Sequence, residues 1–343
     1  MADDPAVKAI QDFAQITGVD EGLAHFFLQD FDFDLERGLN AYFQELNRNQ
    51  RAENEMKSNN DDSDSDVEIM DTSGPKEDTA HTADFANASN SDRLPDEVTV
   101  MTWNIDGLDE GNLTTRLKGV LIIVAKVNPE ILLLQEVVKA HMDKIRELMG
   151  PMYNIISPDD DGMPYFTVTC ISKNIIPRIH EIKPFGNTMM GRTMTVFEGY
   201  WQKLRIVVIH SHLESTKDYV APRKAQFNEC MKKFEQYIGA NTLVIFGGDL
   251  NIRDAEIDAF HPAIKDAWIA AGSDKNTEYT WDCKLNTNKG LPRFVRCRFD
   301  RIYFNGPYKK VDFALHGTQQ IKNIQRYPSD HFAAVAVFKQ PQN

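Results

Sequence analysis

The stretch Thr242–Asp254, "TLVIFGGDLNIRD", decides the fold. Five mostly apolar, β-prone residues run into Gly247 and Gly248, and then Asp249 and Asn251 appear two apart. A short apolar run of this kind reads as a buried strand. Glycine admits turns and close approaches that a Cβ would block. The strand is therefore either a prelude to a sharp bend or a handle that delivers a carboxylate and an amide into a site.

The same construction recurs along the chain. From about residue 97, β-rich runs follow one another: "VTVMTW", "EILLLQ", "YFTVTCIS", "MTVFEGYW", "LRIVVIHSHL", "TLVIF", "FDRIYF" and "FAAVAVF". Helical stretches lie between some of them, at 113–127, 139–149 and 221–238. Continuous and alternating apolar runs both occur, which predicts mixed sheets with helices outside, larger than one Rossmann-type sheet. Six of the runs end on polar groups. "VTVMTWNIDGLD" carries Asn104 and Asp106, "EILLLQEV" carries Glu136, and "IVVIHSHLEST" carries His210 and His212. "TLVIFGGDLNIRD" carries Asp249 and Asn251, "RFDRIYF" carries Asp300, and "YPSDHFAAVAVF" carries Asp330 and His331.

Taken singly, each of these has a turn-forming or packing explanation. Together they match the appetite of a hard divalent cation such as Mg2+, which takes one or two carboxylates and keeps its other positions for water and phosphate. The absence of a Cys cluster argues against structural zinc. No P-loop, GxSxG elbow or HExxH helix is present. Metal-assisted hydrolysis of a phosphoester is the class that fits.

The formal net charge of −13 is unevenly spread. Residues 1–96 hold 23 Asp/Glu against 7 Lys/Arg, whereas residues 97–343 hold 28 against 31. The large C-terminal part is thus mildly basic and compatible with a phosphate-bearing partner. Four cysteines without a CxxC pair suit a reducing, intracellular compartment. The N-terminus has neither the basic region nor the apolar core of a signal peptide, and no apolar run reaches the ~20 residues that span a bilayer. No membrane partner is expected.

Three regions follow. Residues 1–50 read as a small helical domain, with apolar spacing through Val7, Ile10, Phe13, Leu23, Phe26, Leu35, Leu39 and Phe43, and with Asp20 and Asp34 at N-cap positions. Residues 51–95 are polar and acidic, too poor in large apolar groups to offset the entropy of ordering, and are expected to be a disordered linker. Within them "DDSDSDVEIM", Asp61–Met70, sets a short β-prone stretch after an acidic run. It reads first as a solvated spacer and alternatively as a strand that adds to a partner's sheet, in the manner of SUMO-interacting motifs. Residues 96–343 form the large domain.

The segment "ITGVDEGLAHFFLQDFDFDLERGLNAYF" resembles a ubiquitin-associated (UBA-like) domain, which implies ubiquitin as a partner through Ile16, Gly18, Phe43 and Leu46. The ordered set TWN, QE, HL, GDLN, RFDR and SDH resembles the endonuclease/exonuclease/phosphatase family over residues 97–340. That resemblance implies a four-layer α/β sandwich, two packed mixed sheets with helices outside and one site at the strand ends. "TWNIDGLD", "SHLEST", "GGDLNIRD" and "YTWD" followed by "RFDRIYF" look most like the members that remove tyrosine left on DNA 5′ ends by trapped topoisomerase II. Nuclear placement follows from that inferred substrate, with the cytoplasm as the alternative.

The resemblance also implies roles. Glu136 is the direct ligand of Mg2+, with Mn2+ as the alternative ion, and Asn104, Asp106 and Asp330 support it. Asp249 positions and deprotonates the attacking water, with Asn251 beside it. His331 faces the scissile phosphate, oriented by Asp300, and His212 donates to another phosphate oxygen. Either Asp249 or His331 can be the base. The leaving phenolate, of pKa ~10, needs less protonation than a sugar alkoxide, so a cation beside the ring suffices. Arg192 over Tyr165 is the expected cation–π pair there. Trp281 is a candidate stacking platform for single-stranded DNA, with Arg253, Arg298 and the basic run Lys284, Lys289, Arg293 and Arg296 nearby. An abasic-site endonuclease or an inositol or lipid phosphatase of the same fold remains the alternative, as does a ubiquitin- or SUMO-binding adaptor.

Overall fold

The structure, a computed structural model, describes residues 5–17, 24, 28, 31, 33–39, 93–158, 162–291 and 295–340. Its elements in chain order are α1 (Pro5–Thr17), β1 (Glu97–Asn104), α2 (Leu113–Val127), β2 (Ile131–Val137), α3 (Lys139–Met149), β3 (Tyr153–Ile156) and β4 (Phe166–Ser172). There follow β5 (Ile176–Pro184), β6 (Thr193–Trp201), β7 (Leu204–Ser211), α4 (Val220–Glu235), β8 (Thr242–Asp249), β9 (Lys265–Asp266) and α5 (Ala267–Ala270). The chain ends through β10 (Trp281–Asp282), β11 (Arg296–Cys297), β12 (Asp300–Asn305), β13 (Lys310–His316) and β14 (Ala333–Lys339).

Two six-stranded sheets carry the fold, ordered β13-β14-β1-β2-β4-β3 and β5-β6-β7-β8-β12-β9. Each has one parallel pair near its centre, β1 with β2 and β7 with β8, and antiparallel neighbours on either side. Parallel neighbours need a crossover, which α2 and α4 supply. Alternate residues of the central strands face each other between the sheets: Val98, Val100, Ile131 and Leu133 meet Ile206, Val208, Leu243, Ile245 and Ile302. The opposite face of the first sheet buries Leu117, Val120, Leu121 and Val124 of α2 and Met142, Ile145 and Met149 of α3. Phe227, Cys230, Met231 and Phe234 form the apolar stripe of α4 on the outside of the second sheet. Helix, sheet, sheet and helix make the four layers of an α/β sandwich.

The central strands are buried on both faces, which explains their unbroken apolar runs. Edge strands lacked that signal. β5, "IPRIHEIKP", is exposed along nearly its whole length and rich in charge, as an edge that must resist further pairing should be. In the N-terminal domain α1 buries Ile10 and Phe13, and the Asp34 side chain accepts a hydrogen bond from the Arg37 amide at 3.0 Å, an N-cap contact. The same apolar cluster includes Trp281, Val295 and Phe299 of the large domain. Most of the expected second and third helices, the linker 51–92 and its Asp61–Met70 motif lie outside the described residues. Among the described residues no helix is long and apolar enough to cross a membrane.

Candidate active site

The two parallel pairs point the same way, so their C-terminal ends deliver Asn104 and Glu136 from one sheet and His212 and Asp249 from the other. Antiparallel β12 and β14 bring their N-terminal ends to the same edge. Asp300 opens β12 in register with Asp249, and Asp330 and His331 immediately precede β14. Backbone geometry aims these side chains. A bulge interrupts β2 between Leu134 and Val137, and Glu136 sits there at φ 52°. Asp106 and Asn251 are also left-handed, at φ 51° and 50°. Three such residues in one place mark a site over-determined by its surroundings. Gly248 has φ 145°, and a Cβ there would come 1.8 Å from the Ser211 carbonyl oxygen. The glycine lets β8 pass close to the end of β7, which sets Asp249 beside His212.

Asn104 lies at the centre. Its Nδ2 donates to Glu136 Oε1 at 2.9 Å and to Asp249 Oδ2 at 3.0 Å, while its Oδ1 accepts from the Asp106 amide. Asp249 Oδ2 also faces His212 Nε2 at 3.4 Å and His331 Nε2 at 3.8 Å, and its Oδ1 accepts from the Asn251 amide. His331 Nδ1 bonds Asp300 Oδ2 at 2.8 Å, and Thr280 Oγ1 steadies the backbone at Phe299 and Asp300. Burial works to raise the Asp249 carboxyl, but His212, His331 and the bonds from His212 and Asn104 outweigh it and hold it well below the carboxylate range. Burial disfavours a charged His331, yet Asp300, Asp330 and Asp249 together lift it well above the ordinary histidine value. Near neutral pH the pair is thus an ionised carboxylate facing an imidazolium. Burial also raises Asp300, and His331 opposes that rise.

Arg192 Nη1 lies 2.7 Å from His212 Nδ1. A guanidinium can only donate, so Nδ1 accepts and the His212 proton sits on Nε2, facing Asp249. The same Arg192 stands over the Tyr165 ring at 5.2 Å, and Tyr165 is 6.1 Å from the His212 ring. Together with Met163, Met190 and Pro158 they line a small cleft open to solvent.

Among the described residues Asp249, Asp300 and His331 each offer a ligand atom within 4.8 Å of the others. Within that trio His331 Nδ1 bonds Asp300 Oδ2, while the buried Asp300 Oδ1 has no hydrogen-bond partner. The charges of half-buried Glu136 and Asp330 act on buried Asp106, whose Oδ2 has no hydrogen-bond partner, and carboxylates are donors of the kind a hard divalent ion takes. Burial and then the Asp330 charge push the Asp106 carboxyl up to about 7, against the pull of Lys289. Such crowding of carboxylates fits a cation site.

Other expected residues fall elsewhere. Trp281 is only 9 % exposed, packs on Phe299 and donates its indole N–H to Asp330 Oδ2 at 3.1 Å, so it steadies Asp330 from within the fold. Arg298 is drawn to Asp266 at 2.6 Å and Asp254 at 3.2 Å over the Trp268 ring, away from the cleft. Arg253 pairs with Glu256 at 3.5 Å and lies 6.0 Å over Phe299, beside the site. Arg296 is held by Asp282. His210 is fully buried between the sheets, on Gln135 and Thr169, with burial lowering it to about 3. Ile16 is exposed at the end of α1, and Gly18, Phe43 and Leu46 lie outside the described residues.

Two residues at the site take roles that the sequence did not suggest. Arg116 is 1 % exposed and donates to the carbonyls of Asp106, Asp109, Gly111 and Pro328, tying the loop after β1 to the segment before β14. A charge inside the apolar helix "LTTRLKGVLIIVAKV" was the clue to it. Lys289, expected in the basic run beside Trp281, reaches Asp106 at 2.8 Å and stays partly accessible.

Comparison with known proteins bears on the fold and the family. The Endonuclease/Exonuclease/phosphatase family matches residues 101–331 and a UBA-like domain matches residues 8–48. A 5′-tyrosyl-DNA phosphodiesterase of Caenorhabditis elegans is 39 % identical over 336 residues, covering 96 % of this chain and 87 % of its own length. The human tyrosyl-DNA phosphodiesterase 2 is 31 % identical, over 94 % of this chain and 89 % of its own. The crystal structure of truncated C. elegans TDP2 aligns at TM-score 0.68 and 43 % identity, over 71 % of this chain and 98 % of that one. Danio rerio TDP2 complexed with single-strand DNA product aligns at 0.66 and 30 %, over 72 % and 100 %. The chain belongs to the endonuclease/exonuclease/phosphatase family, an enzyme domain of the phosphodiesterase-hydrolase kind with a UBA-like domain ahead of it.

Proposed function

We propose that the protein is a 5′-tyrosyl-DNA phosphodiesterase that works with a divalent ion, Mg2+ foremost and Mn2+ as the alternative. The observation that carries this is Asp249, ionised between two histidines at the mouth of a cleft walled by Arg192 over Tyr165. The names of the relatives give the substrate. The attacking water gives a proton to Asp249, its oxygen bonds the phosphorus, and the bond from phosphorus to the tyrosine oxygen breaks. A free 5′-phosphate remains on the DNA, and tyrosine departs as a phenolate of pKa ~10 that solvent protonates.

His331 enters as a cation, so its role is to donate to a phosphoryl oxygen, and Asp249 is the base. His212 donates to a second oxygen through the Nε2 proton that Arg192 enforces. Arg192 also lies beside the phenolate as its charge develops. Glu136, with Asp106 and Asp330 behind it, would hold the divalent ion, which would supply Lewis-acid stabilisation of the phosphoryl oxygens.

The same reading makes a DNA end bearing a topoisomerase II remnant the cellular substrate, strand-break repair the context and the nucleus the place. The UBA-like domain would bind ubiquitin on the face that includes Ile16, and the Asp61–Met70 motif would bind SUMO. The substrate is tested by offering the purified chain two oligonucleotides, one with a 5′-phosphotyrosyl end and one duplex with an abasic site. Tyrosine release with the duplex intact is expected. Internal incision with the tyrosyl end intact would move the protein to another activity of its family.

A further inference from the structure

Lys289 lies on the loop between β10 and β11, and that loop is built to hold it. Asn286 Nδ2 donates to the Ser329 carbonyl at 2.8 Å, and Asn288 exchanges two hydrogen bonds with the Tyr327 backbone, at 3.0 Å and 2.9 Å. Both anchors grip the segment that carries Asp330. Gly290 turns the chain at φ 63°. The result drives the Lys289 ammonium to 2.8 Å from Asp106 Oδ1 and 3.8 Å from Asp109 Oδ2, with 33 % of its side chain still accessible. The other oxygen of Asp106, Oδ2, faces the Arg116 guanidinium at 3.6 Å. Both oxygens of one carboxylate in the donor set are therefore flanked by fixed positive charge.

We propose that Lys289 is a tethered counter-ion of the metal pocket: it supplies on the Asp106 side the charge that a second divalent ion would bring, so the site takes one ion, on the Glu136 side. This rests on the metal-dependent reading above. An ammonium in contact with Asp106 opposes a further dication in the same place, since like charges a few ångströms apart repel strongly even at an effective dielectric of ~20. It also leaves the first ion fewer uncompensated carboxylates, which weakens its hold. Lys289 is thus a positioning residue, acting through Asp106 and not on the substrate.

The test is Mn2+ binding to the full chain, read from the free-ion paramagnetic signal, with Lys289→Met and Lys289→Arg alongside. Lys289→Met keeps an apolar stem and removes the charge; Lys289→Arg keeps the charge. The wild type should bind one ion. Lys289→Met should bind a second, or the first more tightly by on the order of tenfold, and Lys289→Arg should behave as wild type. Two ions on the wild type would overturn the proposal without any variant. Unchanged stoichiometry and affinity in a folded Lys289→Met would also overturn it, as would a change confined to KM for DNA, which would mark Lys289 as a phosphate contact. No ion on the wild type would overturn the metal-dependent reading itself.

Discussion

At the scale of single residues the site works through opposed charge states. The His331 value lies above the ordinary ~6.5 for histidine, so its proton persists through neutrality and is lost only as pH rises through the raised value. Asp249 lies below the ordinary ~3.9, so it stays ionised until pH falls through the depressed one. The kcat–pH profile should therefore be flat through neutrality, with its acid limb below the usual carboxylate range and its alkaline limb above the usual histidine range. Asp300→Asn removes the carboxylate bonded to Nδ1, so the alkaline limb should move down toward ~6.5 and kcat should fall by about 10²-fold or more. An unmoved alkaline limb would show that another group sets it. Gly248→Ala tests the backbone in the same region. It forces a Cβ against the Ser211 carbonyl at a φ that L side chains avoid, and should cost about 3 kcal/mol in urea unfolding.

Among the elements, the strands are the part most readily read from sequence. β1, β2, β7, β8, β12 and β14 are buried, their apolar runs are long, and a polar residue at each end is conspicuous by contrast. β5 and β13 pass unnoticed because edge strands mix charge with apolar residues on both faces. Loops hid more. Whether Lys289 points to solvent or to Asp106 depends on where Asn286 and Asn288 find carbonyls, and those belong to a segment some 40 residues away. Arg298 and Trp281 looked available because nothing nearby in sequence announced Asp266 or Asp330 as their partners. Arg116 makes the dependence on loop contacts measurable. Arg116→Met removes a donor from four carbonyls and the guanidinium facing buried Asp106 and should lower stability by about 3–5 kcal/mol, and Arg116→Lys should recover only part of it, because an ammonium cannot copy the guanidinium fork. Full recovery by lysine would reduce Arg116 to a simple charge.

For the whole molecule, every group assigned to the chemistry lies between Asn104 and His331, on the two-sheet domain. Among the described residues the N-terminal part touches that domain through the cluster with Trp281 and Phe299 and through Lys217 over the Phe33 ring at 3.8 Å, and none of these contacts involves a reacting group. Residues 97–343 alone should keep kcat within about threefold of the full chain, the scale of an uncoupled domain's ~0.6 kcal/mol; loss of turnover in a folded fragment would make the first domain part of the enzyme. The domain order was legible from composition, because acidity, polarity and β-rich texture change abruptly near residues 50 and 96. The contact between the domains was not, since it joins helix faces and loops that share no pattern. The most direct measurement is release of tyrosine from a 5′-phosphotyrosyl oligonucleotide by the full chain with Mg2+, beside Glu136→Gln and Asp249→Asn. The account predicts a free 5′-phosphate from the wild type, abolished by EDTA and reduced at least about 10²-fold in both folded variants. Release that survives EDTA or either substitution would contradict it.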